Sequence, residues 1–227
     1  MGEIAPERQS PPEGSAPRGD EAPKYRPLVA FDFDGTLTSR DSFTAFLRWR
    51  FGARAYAAGM LALAPFAARY VLDRDRGRLK AAAVRRFLAG MPKPELEAWA
   101  QTFASEEGRA LLRPDALRAW RRWQSDGARL VIVTASPETI VAPIARGLGA
   151  DLLLGTKLAF DPSGRVTGEF DGANCRGPEK VRRLQAVFKD DVRLEAAYGD
   201  TDGDKEMLAL AEEQGMKVFN GTGRASL

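Results

Sequence analysis

Residues 28–36 have the sequence LVAFDFDGT, a short apolar run that stops at two aspartates and a glycine. An apolar run bounded in this way is typical of a buried strand that ends at a turn. Residues 128–133 (ARLVIV) and 194–198 (LEAAY) have the same form, and polar residues follow each of them. Short apolar strands that alternate with helical patterns predict a parallel sheet covered by helices on both faces.

The spacing of these runs predicts how the chain is divided. Residues 39–122 carry a mostly helical pattern, which is too long for an ordinary connection between a strand and a helix. We therefore predict an α/β fold, a doubly wound parallel sheet with an inserted helical cap subdomain after the first strand. The core would comprise residues 27–38 and 123–220, and the cap residues 39–122. The proline-rich residues 1–26 are predicted to be disordered, and residues 221–227 to be frayed.

The chain of 227 residues contains no histidine and a single cysteine, Cys175. The lack of an imidazole excludes Ser-His-Asp hydrolysis, Cys-His proteolysis and zinc chemistry of the HExxH type. The single thiol excludes an intrachain disulfide framework and a cysteine-rich zinc site. Catalysis in this chain therefore has to rest on carboxylates, lysines, hydroxyls or a hard metal ion.

Basic residues are concentrated in one part of the sequence. Residues 48–90 contain ten Arg and Lys but two Asp, whereas the whole chain carries a net charge of +3. A solvated helical face and a surface that meets an anionic partner are both compatible with this segment. Aromatic residues are sparse there and do not alternate with arginine, so a nucleic-acid-binding protein is the less favoured, non-enzymatic alternative.

Four polar clusters lie at predicted strand ends or helix starts. Asp32 and Asp34 suit a nucleophile and a general acid or base, because one can attack while the other handles the proton. Thr134 and the backbone N–H groups after it suit phosphate oxygens, and Lys180 would present a fixed positive charge. Residues 199–204 (GDTDGD) supply the hard oxygen ligands that Mg²⁺ prefers. Taken singly, these residues also fit a strand end, a solvated lysine or a helix N-cap.

In this order, the motifs resemble those of haloacid dehalogenase (HAD) superfamily phosphatases, in the phosphoserine-phosphatase-like subgroup known as subfamily IB. The matching segments are DFDGT at 32–36, VIVT at 131–134, GPEK at 177–180 and GDTDGD at 199–204. The resemblance extends from Leu28 to Phe219. It implies a HAD-like, Rossmann-type sheet and a Mg²⁺-dependent phosphomonoester hydrolase that works through an aspartyl-phosphate.

The resemblance also implies a role for each matching residue. Asp32 would be the nucleophile, and Asp34 would protonate the leaving oxygen and later activate water. Thr134 and Lys180 would bind the phosphate. The implied magnesium ligands are Asp32, the main-chain carbonyl of Asp34 and Asp200, with Asp204 as a carboxylate behind them. None of these roles requires a histidine.

The substrate would be selected by the cap. There the sequence is most similar to phosphatidylglycerophosphatase C-type proteins, through DSFxxFL at 41–47, the apolar stretch after it, and NCRGxEK at 174–180. This similarity implies a lipid phosphate such as phosphatidylglycerophosphate, and the alternative is a soluble, phosphoserine-like metabolite. Asp41 occupies the place of a glutamate that recognises the substrate amine in phosphoserine phosphatases, although a helix N-cap is the simpler role. Gly203 replaces an asparagine that such families often carry.

The longest uncharged stretch, residues 55–68, decides the membrane prediction. It has fourteen residues, fewer than the roughly 20 that a helix needs to span a bilayer. The stretch is therefore predicted to be either core of the cap or an interfacial helix, which would give peripheral membrane contact. The arginines that flank it favour an anionic lipid surface; they are Arg48, Arg50, Arg54 and Arg69. With no secretory signal visible, we expect a cytoplasmic protein, either free or at the inner face of the cytoplasmic membrane.

Overall fold

Five parallel strands form the central sheet of the computed structural model, which describes residues 26–64 and 76–221. The strands along the chain are β1 (Leu28–Phe31), β2 (Arg129–Pro137), β3 (Leu152–Thr156), β4 (Leu158–Phe160), β5 (Val166–Phe170), β6 (Leu194–Gly199) and β7 (Ala211–Met216). The order within the sheet is β3-β2-β1-β6-β7, whereas β4 and β5 form a separate antiparallel pair. β1 thus lies in the middle of the sheet, and the side chain that follows it, Asp32, lies at the middle of its edge.

The sheet confirms the predicted α/β fold class and contains two strands more than the sequence indicated. The predicted runs correspond to β1, β2 and β6, whereas β3 and β7 carry no predicted strand. β7 has the polar sequence AEEQGM with two buried residues, as expected of an edge strand that faces water on one side. β2 continues past the predicted end at residue 133 to Pro137, so Thr134 lies within the strand.

Helices cover both faces of the sheet. They are α1 (Ser42–Ala62), α2 (Arg76–Leu88), α3 (Lys93–Phe103), α4 (Pro114–Ser125), α5 (Glu138–Gly147), α6 (Pro178–Phe188) and α7 (Lys205–Leu208). A π-helical turn, Ala104–Gly108, and a short turn, Arg109–Leu111, extend α3. Successive side chains of a strand point to opposite faces; accordingly, Val29 and Phe31 belong to one apolar core and Ala30 to the other.

The segment between β1 and β2 is helical, as predicted. α1 breaks at Gly52, whose φ of 76° lies in the left-handed region that glycine adopts without steric cost. Before the break, the ring of Phe46 packs against Phe103 of α3 at a centroid distance of 5.5 Å. After it, the ring of Tyr56 stacks on Phe87 of α2 at 5.9 Å. The helices of the insert are therefore joined by aromatic contacts on both sides of the kink.

The last helix of the insert, α4, packs against the sheet. Its Trp120 is buried and lies 5.1 Å from the ring of Phe31 in β1. The predicted boundary between cap and core, at residues 122 and 123, falls inside this helix. The division of the chain into a core and a cap remains a prediction.

A tight turn joins β4 and β5, where the sequence DPSG at 161–164 predicts a hairpin. Asp161 Oδ1 accepts hydrogen bonds from the backbone N–H groups of Ser163 and Arg165, both at 2.9 Å. Gly164 has a φ of 78°, which this turn requires. The hairpin contacts α2, because Glu169 of β5 pairs with Arg85 of that helix at 2.7 Å.

The apolar stretch predicted as cap core or interfacial helix is partly described. Leu63 is buried, and Tyr56 and Met60 pack against the core, whereas Leu61 is 76% exposed. Across the described ranges, no helix is both long enough and apolar enough to cross a membrane. Residues 65–75, which include Phe66 and Arg69, and the terminal segments 1–25 and 222–227 lie outside the described residues.

Candidate active site

A cavity of about 310 Å³ opens at the carboxyl edge of the sheet, where β1, β2 and β6 end. Ligands bind at this edge in open parallel sheets, because the loops after the strands converge there. Six of the seven residues selected from the sequence line the cavity: Asp32, Asp34, Asp41, Lys180, Asp200 and Asp204. Thr134 does not line it.

Asp32 follows β1 directly and is held by the sheet. Its backbone N–H donates to the carbonyl of Tyr198 in β6 at 2.8 Å, and its side chain is almost fully buried. Burial raises the pKa of Asp32 to about 7, since the attraction of Lys180 only partly offsets the loss of hydration. The carboxylate is thus fixed in position and needs positive charge nearby to remain ionised.

Lys180, near the start of α6, supplies part of that charge. Its Nζ lies 2.5 Å from Asp32 Oδ1, 2.7 Å from Asp204 Oδ1 and 2.6 Å from the carbonyl oxygen of Val133. An ammonium group has three N–H donors, so these three acceptors use all of them. Burial alone would lower the pKa of Lys180, but the two carboxylates outweigh it and raise the pKa. Lys180 therefore orients two carboxylates, and its role as a phosphate ligand stays a prediction.

Asp34, two residues after Asp32, is held by donors from two directions. Its Oδ1 accepts from the backbone N–H of Ser42 at 2.7 Å, and its Oδ2 accepts a short hydrogen bond from the hydroxyl of Ser136. Burial, followed by the negative charge of Asp41, raises its pKa, and these effects outweigh Lys80 and the two donors. The environment of Asp34 therefore favours the neutral acid.

Asp200 and Asp204 come from the turn after β6. Thr201 and Asp204 form a capping box there: the N–H and hydroxyl of Thr201 donate to Asp204 Oδ2 at 2.9 and 3.0 Å. Burial and the charge of Asp204 raise the pKa of Asp200. Asp32, Asp200 and Asp204 each offer a carboxylate oxygen, and these oxygens lie within 4.8 Å of one another. Such a cluster of hard oxygen donors is suited to a divalent cation.

Asp41 and Thr134 have structural partners of their own. Asp41 is the N-cap of α1, as the simpler interpretation predicts, because its Oδ1 accepts from the N–H of Thr44 at 2.7 Å. It also lines the cavity. Thr134 is completely buried, and its hydroxyl oxygen accepts from the N–H of Ser136 at 3.0 Å. Thr134 thus shapes the end of β2 that presents Ser136 to Asp34.

Sequence reasoning missed several residues of this site. Ser136 donates to Asp34, and Lys80 of α2 donates to the carbonyl of Ala135 at 3.2 Å. Arg176 lies against the turn after β6 and lines the cavity with Asn174. Ser136 was within reach of the sequence, because it follows the motif threonine by two residues at a strand end. A lysine on a helix and an arginine in a connection carry no such signal.

Cys175 lies next to these residues, but its thiol stays protonated and unreactive. It is fully buried, and burial raises the pKa of its thiol to about 11. Because the thiolate is the reactive form of cysteine, this side chain acts as part of the apolar core.

Comparison with known proteins supports the family first indicated by the motifs. The profile of the family described as haloacid dehalogenase-like hydrolase matches residues 29–209. Protein CicA of Caulobacter vibrioides is 59% identical over 194 residues, which are 86% of this chain and 87% of that protein. A probable phosphatase of Mycobacterium tuberculosis is 27% identical over 89% of this chain and 71% of its own length. A histidinol-phosphatase of Neisseria meningitidis is 25% identical over 82% of this chain and 87% of its own length.

Solved structures share the architecture. A protein of unknown function from Bordetella pertussis Tohama I has a TM-score of 0.68 and 26% identity, over 81% of this chain and 86% of that one. A phospho-aspartyl intermediate analogue of phosphoserine phosphatase has a TM-score of 0.57 at 21% identity, over 83% and 84% of the two chains, and supports the fold. The family match covers most of the chain, and the relatives include proteins named as phosphatases. The chain therefore belongs to the haloacid dehalogenase-like hydrolase family and is a phosphatase of that family.

Proposed function

We propose that this phosphatase hydrolyses phosphomonoesters through a covalent phosphate on Asp32. One observation carries the proposal: two carboxyl groups two residues apart line the same cavity and have different neighbours. Burial raises the pKa of both, but Asp32 contacts the ammonium group of Lys180, which favours its ionised form, whereas the charge of Asp41 adds to the effect of burial at Asp34. A carboxyl beside a cation suits the nucleophile, and one beside a second carboxylate suits the general acid.

The reaction divides into two displacements at phosphorus. In the first, a carboxylate oxygen of Asp32 attacks, the bond from phosphorus to the leaving oxygen breaks, and Asp34 gives its proton to that oxygen. In the second, water attacks the phosphorus of the aspartyl-phosphate while Asp34 takes up a proton. The products are the alcohol, inorganic phosphate and regenerated Asp32. Ser136 and the N–H of Ser42 hold Asp34 in one orientation for both steps.

The donor set fits Mg²⁺. Asp32 and Asp200, whose carboxylate oxygens lie close together, would hold the ion, with the main-chain carbonyl of Asp34 as the third ligand that the family resemblance implies. Both oxygens of Asp204 already accept hydrogen bonds, from Lys180 and Thr201, so this carboxylate orients the others. When bound, the ion neutralises charge on the phosphate oxygens and favours the ionised form of Asp32.

Substitution of Asp32 tests the covalent step. Asp32→Asn should abolish magnesium-dependent phosphate release from p-nitrophenyl phosphate, because an amide oxygen is a poor nucleophile. Asp202→Asn is the matched control: Asp202 belongs to the same GDTDGD motif but pairs with Lys205 at 2.8 Å outside the cavity. It should keep wild-type turnover. An active Asp32→Asn variant with a wild-type melting curve would refute the mechanism.

For the substrate, we propose a lipid phosphate at the inner face of the cytoplasmic membrane. A second cavity of about 240 Å³ lies between α1 and α2 and shares Asp41 and Lys80 with the catalytic cavity. Its walls are mainly apolar, formed by Phe43, Leu47, Tyr56, Met60, Leu79 and Ala83. The phosphate site therefore continues into a space suited to an apolar chain. Near it, Ala62 and Leu63 at the end of α1 line a further cavity with Arg78, Arg85 and Arg86 of α2, and the adjacent side chain of Leu61 is exposed. Such a mixture of apolar and basic residues suits an anionic lipid surface, where a basic residue contributes about 1 kcal/mol.

Two measurements test the lipid proposal. Phosphate release should be faster from phosphatidylglycerophosphate in mixed micelles than from phosphoserine, and the protein should sediment with anionic liposomes. Leu61→Glu should weaken sedimentation, whereas Val218→Glu, at a side chain 51% exposed outside the cap, should not. Equal or reversed rates together with no liposome binding would contradict the proposal.

A soluble metabolite phosphatase is the second candidate. The catalytic cavity holds about 310 Å³ and exposed Asp41 lies on its wall, so it suits a small phosphomonoester that carries an amine. The relative named histidinol-phosphatase is consistent with this class. In the same assay, faster release from histidinol phosphate or phosphoserine than from the lipid would favour this candidate.

A further inference from the structure

We propose that Arg176 binds the phosphate group of the substrate, in a place that the absence of a side chain at Gly203 makes available. Arg176 lies in the connection before α6 and lines the catalytic cavity with Asp32, Lys180 and Asp200. The proposal deepens the function proposed above and rests on it, because it adds a phosphate ligand to the same site.

The position of Arg176 depends on a glycine. A Cβ built on Gly203 would lie 2.5 Å from Arg176 Nη1, 2.6 Å from its Cζ and 2.7 Å from its Cγ. The arginine side chain therefore lies directly against the backbone of the turn after β6. The two segments are also joined by their main chains, because the N–H of Gly177 donates to the carbonyl of Gly203 at 2.9 Å. Any larger residue at 203 would displace the guanidinium.

The charge of Arg176 is open to a ligand: Lys205 and, to a smaller extent, Arg176 lower the pKa of Asp202, but that exposed carboxylate forms its ion pair with Lys205. In the described part of the chain, the buried ion pairs at this edge are those of Lys180 with Asp32 and Asp204. Arg176 Nη1 instead approaches the hydroxyl of Thr201 at 3.4 Å, a long hydrogen bond. Lys180 has its three donors occupied, so Arg176 is better placed to offer N–H groups to an incoming anion. A guanidinium suits this task, because its planar fork matches phosphate oxygens.

The main test measures phosphate binding directly. Inorganic phosphate is titrated calorimetrically into the protein with Mg²⁺, and KM is measured with p-nitrophenyl phosphate, whose sole anionic group is the phosphate. A charge-assisted hydrogen bond is worth enough that Arg176→Gln should weaken phosphate binding and raise KM by roughly 10- to 100-fold. An unchanged phosphate affinity in a folded Arg176→Gln variant overturns the proposal.

A second variant tests the role of the glycine. Gly203→Ala should displace the guanidinium and weaken phosphate binding in the same direction, and the double variant should be no worse than Arg176→Gln alone. Gly147→Ala is the matched control, because a Cβ there meets nothing within 4 Å. Fully additive losses in the double variant would contradict the proposal. The two proposals fail separately. An active Asp32→Asn enzyme would refute the covalent mechanism, whereas the role of Arg176 is decided by phosphate binding, which calorimetry measures without turnover.

Discussion

The two sides of the catalytic cavity hold their lysines in different ways. On the core side, Lys180 is 1% exposed and contacts three acceptors within 2.7 Å. On the side formed by α1 and α2, the cap side, Lys80 is only partly buried. It makes longer contacts, at 3.2 Å to the carbonyl of Ala135 and 3.5 Å to the hydroxyl of Ser136. One cation is fixed by its surroundings, and the other has room to meet a ligand.

This difference suits the two sides to different tasks: the core side to the chemical step and the cap side to the selection of the substrate. A fully bonded buried group has one arrangement, and its contacts cannot change without a large cost. The core side therefore presents the same reactive groups to any phosphomonoester. The cap side, with Lys80 and Asp41 next to an apolar cavity, can respond to the rest of the substrate. Substitutions on the core side should therefore lower stability and turnover strongly, whereas substitutions on the cap side should change KM by a smaller factor.

The largest effect is expected on the core side, from Lys180→Met. Methionine approximates the shape of the lysine stem, but Asp32 and Asp204 lose the charge that compensates them. Breaking a buried charge pair in this way costs about 3–5 kcal/mol. Turnover should fall by roughly 10²- to 10³-fold, because Asp32, the proposed nucleophile, is no longer oriented. Urea denaturation and phosphate release measure the two effects.

Lys205→Met is the control for this prediction. Lys205 pairs with Asp202 at 2.8 Å, but both side chains are mostly exposed, and exposed pairs contribute about 0–1 kcal/mol. Equal stability of the Lys180→Met and Lys205→Met variants would show that the buried triad does not stabilise the core side. A double variant, Lys180→Met with Asp204→Asn, should recover part of the lost stability, since it removes one of the two carboxylate charges that Lys180 no longer compensates.

An intermediate loss of stability is expected where the start of α4 binds the segment after β7. Asp115, in the first turn of α4, accepts from the N–H groups of Asn220 and Gly221 at 2.8 and 2.7 Å. Burial alone would raise the pKa of Asp115, but these donors and the N–H of Ala116 lower it below its usual value. Asp115→Ala should cost about 1–2 kcal/mol at neutral pH, with partial exposure reducing the value of each hydrogen bond.

The pH dependence of this effect has a defined sign. A carboxyl whose pKa is lowered by folding stabilises the protein above its unfolded pKa of about 3.9, and this contribution is lost as the pH falls through the folded value. The difference in the free energy of unfolding between wild type and Asp115→Ala should therefore be constant near neutrality and shrink below about pH 4. Asp126→Ala, at the other end of α4, is the control. A difference that grows on acidification would contradict the assignment.

The sequence could predict the core side because parallel strands bring their carboxyl ends together. Asp32, Asp34 and Asp200 each lie within three residues of the end of an apolar run, and such runs can be recognised in a single sequence. The sequence did not predict β7, because an edge strand with one solvent-exposed face has too few apolar residues to form a recognisable pattern. Arg176 was hidden for another reason: its proposed role depends on the lack of a side chain at Gly203, where its guanidinium lies, and only folding brings these two residues together.

The smallest effect is expected on the cap side, from Lys80→Met. This lysine lines both cavities, so its loss should act on substrate affinity. Burial already outweighs Lys80 at Asp34 and the loss of Lys80 raises that pKa further, so Asp34 stays the neutral acid and Asp32 keeps its orientation. A partly exposed cation contributes up to about 1 kcal/mol, which corresponds to a rise in KM of roughly 2- to 5-fold with kcat nearly constant. Steady-state kinetics with two substrates, one small and one carrying an apolar chain, provides the measurement.

Lys93→Met, at an exposed lysine of α3 that lies outside the catalytic cavity, is the matched control and should leave both constants unchanged. If Lys80→Met instead lowered kcat by as much as Lys180→Met, the cap lysine would belong to the fixed chemistry of the core side. The two lysines would then form one catalytic unit, and the contrast between tight and loose contacts would not separate chemistry from substrate choice. A change confined to KM supports that separation, because uniform loss of binding leaves the chemical step intact.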